Sequence, residues 1–308
     1  MSDVVDELRS ACAQVARLAH HVSIVRDAIG GYAASLALGP PQAHPDAEAQ
    51  LLAGTREQLA ASWLTLDAIN FGSGWFPTLR KRERLSGYFT IAIGVRERFV
   101  SRGPWTAAQL AQIEAAELAT VLRQDAGHEL MELFARSLRD LGARVGEQFG
   151  GRFEALVDRA GGSAVALAAQ LAAWPSFADQ SAYAGFAVPF LKRAQIAAAD
   201  LARAGVAAFD DVRRLTMFAD NLVPHVLRLD GVLRLQPELL ARIEREELIV
   251  HGSPEEVEIR ACALHAVELI AAQRPDSCAA DIDHVLWTRG GEPRYKASPR
   301  HRCRCTAY

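Results

Sequence analysis

Apolar side chains recur three and four residues apart along most of the chain, and this spacing restricts the fold more than any other feature of the sequence. Leu130, Leu133, Phe134, Leu138, Leu141 and Val145 lay one apolar stripe along a helix. Leu110, Ile113, Leu118, Val121 and Leu122 repeat the pattern one helix earlier. Ser253-Pro254-Glu255-Glu256 reads as a capping box with proline at the first helical position. The helix it opens is predicted from about Pro254 to Gln273, apolar on most sides and therefore buried. Alanine-rich stretches at 164–173 and 194–207 are strong helix formers that allow close packing. No run sustains the period-two alternation of a sheet. The expectation is an all-α fold, a compact multi-helix bundle. The Gly/Pro breaks at 39–45, 72–77, 150–151, 161–162 and 290–299 are short enough to be turns between packed helices. With 308 residues the chain can bury one large core or two lobes sharing a cleft, so a single domain over 1–308 is expected.

Charge narrows the partners. The net charge is −3, and duplex binding draws much of its affinity from counterion release on a broad basic surface. Basic residues are instead local: Arg80, Lys81, Arg82 and Arg84 in one run, and Arg294, Lys296, Arg300, Arg302 and Arg304 near the end. That distribution suits one phosphate on a small molecule better than a nucleic-acid track. No stretch approaches the ~20 apolar residues of a membrane span. The acidic start of the chain is unlike a signal peptide, and five cysteines, an odd number, suit a reducing compartment, so a cytoplasmic location is expected.

Four clusters have the residue types for chemistry. In Thr216-Met217-Phe218-Ala219-Asp220-Asn221 an aromatic ring precedes a carboxylate by two positions within an apolar stretch. The ring can stack on a heterocycle while the carboxylate faces a sugar; equally, Phe218 can be core and Asp220 a helix cap. Lys192 and Arg193 at a helix start can hold a phosphate or pair with buried acids, and Lys192 and Asp200, eight positions apart, share a helix face. Glu256, Glu258 and Arg260 on the buried helix require partners, Arg193 or the tail being candidates for a structural ion pair. Asp281, Asp283 and Trp287 read either as a capped helix with a core tryptophan or as an anionic pocket with an aromatic wall. The tail His301-Arg302-Cys303-Arg304-Cys305 invites a metal reading together with Cys278. Its one-residue cysteine spacing is poor for structural zinc and no second pair follows, so no metal or other cofactor is expected. No Gly-rich phosphate loop, nucleophile-elbow serine or HExxH occurs.

Taken in order, the motifs say more. Leu66-Asp67-Ala68-Ile69-Asn70-Phe71, Ser86-Gly87-Tyr88 and Phe149-Gly150-Gly151-Arg152-Phe153 are followed by Trp174-Pro175-Ser176-Phe177 and Phe190-Leu191-Lys192-Arg193-Ala194-Gln195-Ile196. Then come Thr216-Met217-Phe218-Ala219-Asp220, Glu256-Val257-Glu258-Ile259-Arg260-Ala261-Cys262, Leu286-Trp287 and His301-Arg302-Cys303-Arg304. This series resembles the queuosine salvage protein family, the queuosine 5′-phosphate N-glycosylases, from about residue 54 onward, with residues 1–53 matching only loosely. The resemblance implies a helical fold akin to that of DNA base-excision glycosylases, and release of queuine and ribose 5-phosphate for reuse of the base in transfer RNA. It implies Asp220 as the catalytic carboxylate, Phe218 against the base, and Asp283 against the base or its cyclopentenediol side chain. A substrate-binding His of the family falls on Gln50 here, with His44 close by. Trp287 joins the substrate contacts, and Lys192, Arg193, His301 and Arg302 are the candidates for the 5′-phosphate. The competing functions are a DNA base-excision glycosylase and a non-catalytic helical protein that binds a modified nucleoside.

Overall fold

The computed structural model describes residues 3–37 and 53–308. Fifteen helices in the described residues carry the fold, as the periodicity predicts, and four short strands form two antiparallel pairs. The strands went unread because they are three or four residues long, too short to display an alternation. Strand β2 (Gln180–Tyr183) pairs with β3 (Phe186–Pro189) through the two-residue turn Ala184-Gly185, both at positive φ, which matches the twist of a tight hairpin. Strand β1 (Val22–Ile24) pairs with β4 (Leu233–Leu235), tying the first part of the chain to the last third.

Local chemistry explains the main helices. Helix α7 (Glu129–Phe149) follows the predicted apolar stripe and ends at Gly150 in the left-handed conformation. The stretch read as one preceding helix is two, α5 (Ala107–Ala111) and α6 (Ala115–Leu122), with an extended Glu114 between them. Helices α9 (Ala164–Ala172) and α10 (Lys192–Arg203) occupy the alanine-rich stretches. Helix α13 (Pro254–Ala271) begins where the cap predicts: the Ser253 hydroxyl accepts from the Glu256 N–H. The reciprocal half of the box differs, because the Glu256 carboxylate accepts from the Gly252 N–H, one residue further back.

Two hydrophobic cores result. The first gathers α3 (Arg56–Ala68), α5, α7, α9 and α10 around Phe71, Phe134, Phe153 and Phe177. The second gathers α1 (Val4–Leu18), α11 (Leu222–Leu229), α13 and α14 (Ala279–Arg289). The segment 215–219 runs between them, and its side chains alternate: Leu215 and Phe218 join the first core, Met217 and Ala219 the second.

The fully buried Arg260 locks this junction. Its guanidinium donates to Asp179 Oδ2 at 2.6 Å and to the Ala219 carbonyl at 2.9 Å. It also lies 3.8 Å above the Phe190 ring and 4.5 Å above Tyr308. The expected partnership with Arg193 is therefore replaced: Asp179 and Glu256 (3.5 Å) neutralise Arg260, and the tail contributes an aromatic face. Glu258 takes no part, accepting instead from the His21 and Val22 N–H groups and the Tyr183 hydroxyl.

Candidate active site

Between the two cores lies a cavity of about 790 Å³. Its wall is built from Asn70 and Phe71 beyond α3, from the first turn of α4 (Gly87–Arg102), and from α10, α14, the 218–222 segment and the tail. The volume falls in the range of small-ligand sites, roughly 300–1,000 Å³.

Asp220 enters this wall at the start of α11. Its Oδ1 accepts from the N–H groups of Leu222 (2.8 Å) and Val223 (3.2 Å), which fixes the carboxylate plane. Asp220 thus caps the helix, as one of its two readings has it, and at the same time lines the cavity. The backbone behind it is pinned twice, by Arg260 on the Ala219 carbonyl and by Gln195, whose amide pairs with the Thr216 N–H (2.9 Å) and hydroxyl (3.0 Å). Phe218 likewise belongs to the first core and lines the cavity, and its N–H donates to Asp283 Oδ1 at 3.0 Å. Asp283 and Trp287 reach the wall from one face of α14, while Asp281 caps that helix, accepting from the Cys278 N–H. Trp287 packs edge-on to Tyr88 at 6.0 Å and beside Phe89 at 5.7 Å.

The electrostatics follow from burial. Asp283 is pushed well above the ordinary carboxylate range by desolvation and next by the nearby charge of Asp220. Its carboxyl therefore holds a proton more tightly than an exposed acid does, because burial and the Asp220 charge both disfavour the anion. Burial lowers Lys192 to about 8, against the attraction of Asp220. Its ammonium donates to the Asn70 carbonyl (2.8 Å) and Asn70 Oδ1 (3.2 Å). Asp200 shares the wall with Lys192, as their spacing on α10 predicts, and burial raises its carboxyl too. Arg300 lines the cavity and is lowered by burial, with the adjacent Arg302 charge adding to the effect.

Two phosphate candidates do not face this space. Arg193, next to Lys192 but turned into the first core, donates to the Ala68 carbonyl at 2.6 Å and lies over the rings of Phe71 and Phe177. On a helix, adjacent residues point about 100° apart, so only one of the pair can face the cleft. His301 is buried away from the cavity wall, its carbonyl accepting from Asn221 Nδ2, and desolvation holds its ring neutral, down to about 3. Arg302 does line the cavity, with Glu246 3.5 Å away. Gln50 and His44 lie outside the described residues. Sequence reading passed over Arg300, Lys296, Tyr88 and Asn70 as wall residues. The tail's basic density and the Leu-Asp-Ala-Ile-Asn-Phe and Ser-Gly-Tyr motifs were the available signals.

Residues 52–308 match the family model described as queuosine salvage protein. The chain belongs to that family. Among curated members of the queuosine salvage family, the queuosine 5′-phosphate N-glycosylase/hydrolase of Sphaerobacter thermophilus is 39% identical over 266 residues, covering 82% of each chain. The proteins of that name from Mus musculus and Bos taurus are 32% identical over 244 residues (72% of each chain) and 30% identical over 282 residues (82% of each chain).

Proposed function

We propose that this queuosine salvage family member hydrolyses the N-glycosidic bond of queuosine 5′-phosphate, releasing queuine and ribose 5-phosphate. One observation carries the reading: Phe218, Asp220 and Asp283, from segments sixty residues apart in sequence, line a single cavity sized for one nucleotide.

Rupture of the C1′–N bond sends the electron pair to the base and builds positive charge on the ribose, as in other glycoside hydrolyses. Asp220, oriented by two backbone N–H groups, stabilises that charge; water then bonds to C1′ and gives up one proton, and the departing base takes up one to leave as neutral queuine. Phe218 and Trp287 supply aromatic faces for the heterocycle. Queuine is a 7-deazapurine and has no ring nitrogen at position 7 to protonate, so help for the leaving group comes from hydrogen bonds elsewhere on the base. Asp283, whose carboxyl burial pushes well above the ordinary range, donates such a bond to the base or its diol. Beside the cationic side-chain amine, a carboxyl oxygen of the same group accepts a charge-assisted hydrogen bond. Arg300 and Arg302 hold the 5′-phosphate: both line the cavity, and the Arg302 charge helps lower Arg300, so an anion at that wall favours the charged form of Arg300. Lys192 keeps the sugar end of the site electropositive. The reaction belongs in the cytoplasm, where transfer RNA turnover supplies the nucleotide, and the enzyme acts on the small molecule rather than on nucleic acid.

The test is to incubate the protein with queuosine, its 5′-phosphate and queuosine-containing transfer RNA and to measure free queuine. Queuine from the 5′-phosphate is expected, and Asp220→Ala should abolish turnover while retaining most of the substrate affinity, because the carboxylate acts chiefly in the transition state. Parental turnover in Asp220→Ala would overturn the assignment. Release only from transfer RNA would favour a polynucleotide glycosylase, and binding without release a sequestering module.

A further inference from the structure

The tail carries a second constellation that the glycosidic chemistry does not use. A parallel bridge joins Leu248 to Arg302, with the Ile249 N–H donating to the Arg302 carbonyl at 2.8 Å. This pairing carries Cys303 and Cys305 to the loop ahead of α13, where His251 waits. One nitrogen of His251 and the two sulfurs all lie within 4.8 Å of one another. Cys303 and Cys305 are buried beside Ala307 and Tyr308 in a small cluster of their own, while His251 sits at its rim. Cys278, the partner that sequence suggested, is elsewhere, bonded to Asp281 at the start of α14.

We propose that His251, Cys303 and Cys305 bind one Zn²⁺ ion that clamps the tail to the α12–α13 side of the fold, α12 being Pro237–Glu244. Tetrahedral zinc takes sulfur at about 2.3 Å and imidazole nitrogen at about 2.0–2.1 Å, which sets its donor atoms roughly 3.5–3.8 Å apart. The observed group closes onto the ion by side-chain rotation of about 1 Å or less. The outer shell is also present. Glu256 Oε2 lies 3.6 Å from His251 Nδ1, leaving the ring's Nε2 for the metal in a carboxylate–histidine–zinc arrangement. Water completes the fourth position. Close packing leaves the tail little freedom to choose another place: a Cβ on Gly74 would stand 2.4 Å from the Cys303 carbonyl oxygen. The ion is structural, not catalytic. Arg300, Arg302 and Tyr308, on either side of the two cysteines, line the cavity, so fixing the cysteines fixes that wall.

The full chain, purified without chelator, should contain about one zinc per molecule by inductively coupled plasma mass spectrometry. After stripping, ZnCl₂ titrated against a chromogenic chelator should return the ion at submicromolar affinity with thiophilic selectivity over Mg²⁺. His251→Ala, at the rim, and Cys303→Ser should each weaken binding at least 10-fold, whereas Cys278→Ser should bind as the parent does. Zinc should raise the melting temperature of the parent and Cys278→Ser but not of His251→Ala. A parent chain that takes up no zinc with all five thiols reduced, or a His251→Ala variant with parental affinity, overturns the proposal. So does a parent that lacks zinc and counts two thiols too few, which would identify a Cys303–Cys305 disulfide. None of these measurements depends on glycosidase activity.

Discussion

Asp220, Phe218 and Lys192 each have a consequence that one substitution can expose. Phe218→Ala removes the aromatic wall but leaves Asp220 held by its two backbone N–H groups. Stacking of a base on an aromatic ring is worth ~1–3 kcal/mol, so substrate affinity should fall roughly 5- to 150-fold with little change in kcat. An isothermal titration showing parental affinity would remove Phe218 from the base site. Lys192 sets a pH limit. Burial lowers it from 10.5 to about 8, so its charge is present below that pH and is lost as pH rises through it. The folded chain binds this proton less tightly than the unfolded one; protonated Lys192 therefore costs stability below about 8, and the cost fades as pH climbs toward 10.5. If the charge serves the reaction, kcat/KM should decline above about pH 8, and Lys192→Arg should move that limb upward. An unmoved limb in the variant would assign the titration to another group.

Among the elements, α7 and α5 make a close backbone approach that the sequence leaves unannounced. Gly142 faces α5, and a Cβ there would lie 2.4 Å from the Ala111 nitrogen and 2.5 Å from the Ala107 oxygen. Both are backbone atoms and cannot rotate aside. Gly142→Ala should therefore lower stability by about 1–3 kcal/mol, the usual penalty for overpacking. One turn later Gly146 has nothing within 4 Å, and Gly146→Ala should raise stability by roughly 0.5–1 kcal/mol through helix propensity alone. Urea denaturation of both variants tests the pair, and equal signs would refute the packing argument. Leu110 of α5 and Leu118 of α6 both pack into the first core, on either side of the break at 112–114.

At the scale of the whole molecule, stability and site geometry meet at Arg260. It joins Asp179, ahead of the β2–β3 hairpin, to α13, the tail and the carbonyl one residue before Asp220. Arg260→Met would strand the Asp179 and Glu256 carboxylates in the interior, and breaking a buried pair this way costs roughly 3–5 kcal/mol. Thermal unfolding should show a large fall in midpoint, and loss of turnover in whatever fraction remains folded. A midpoint within a few degrees of the parent would mean that the two cores are joined by apolar packing alone. Among the described residues no helix is long and apolar enough to cross a membrane.

The helical class, the course of α7, α9, α10 and α13, and the Phe218–Asp220 and Asp283–Trp287 pairs were legible because each is written locally: a period, a cap, or a short motif within a few residues. The division between Lys192 and Arg193 was not legible, since both are basic, adjacent and buried, and only the packing of α10 against α3 decides which one faces the cavity. Nor was the upward push on the Asp283 carboxyl, which depends on desolvation and on Asp220 brought near from sixty-three positions away. The meeting of His251 with Cys303 and Cys305 has the same origin, a fifty-residue separation closed by one parallel bridge. Periodicity determines which face of an element is buried. Which charged groups then confront one another across a low-dielectric gap is a property of the assembled pair of cores, and no window of sequence contains it.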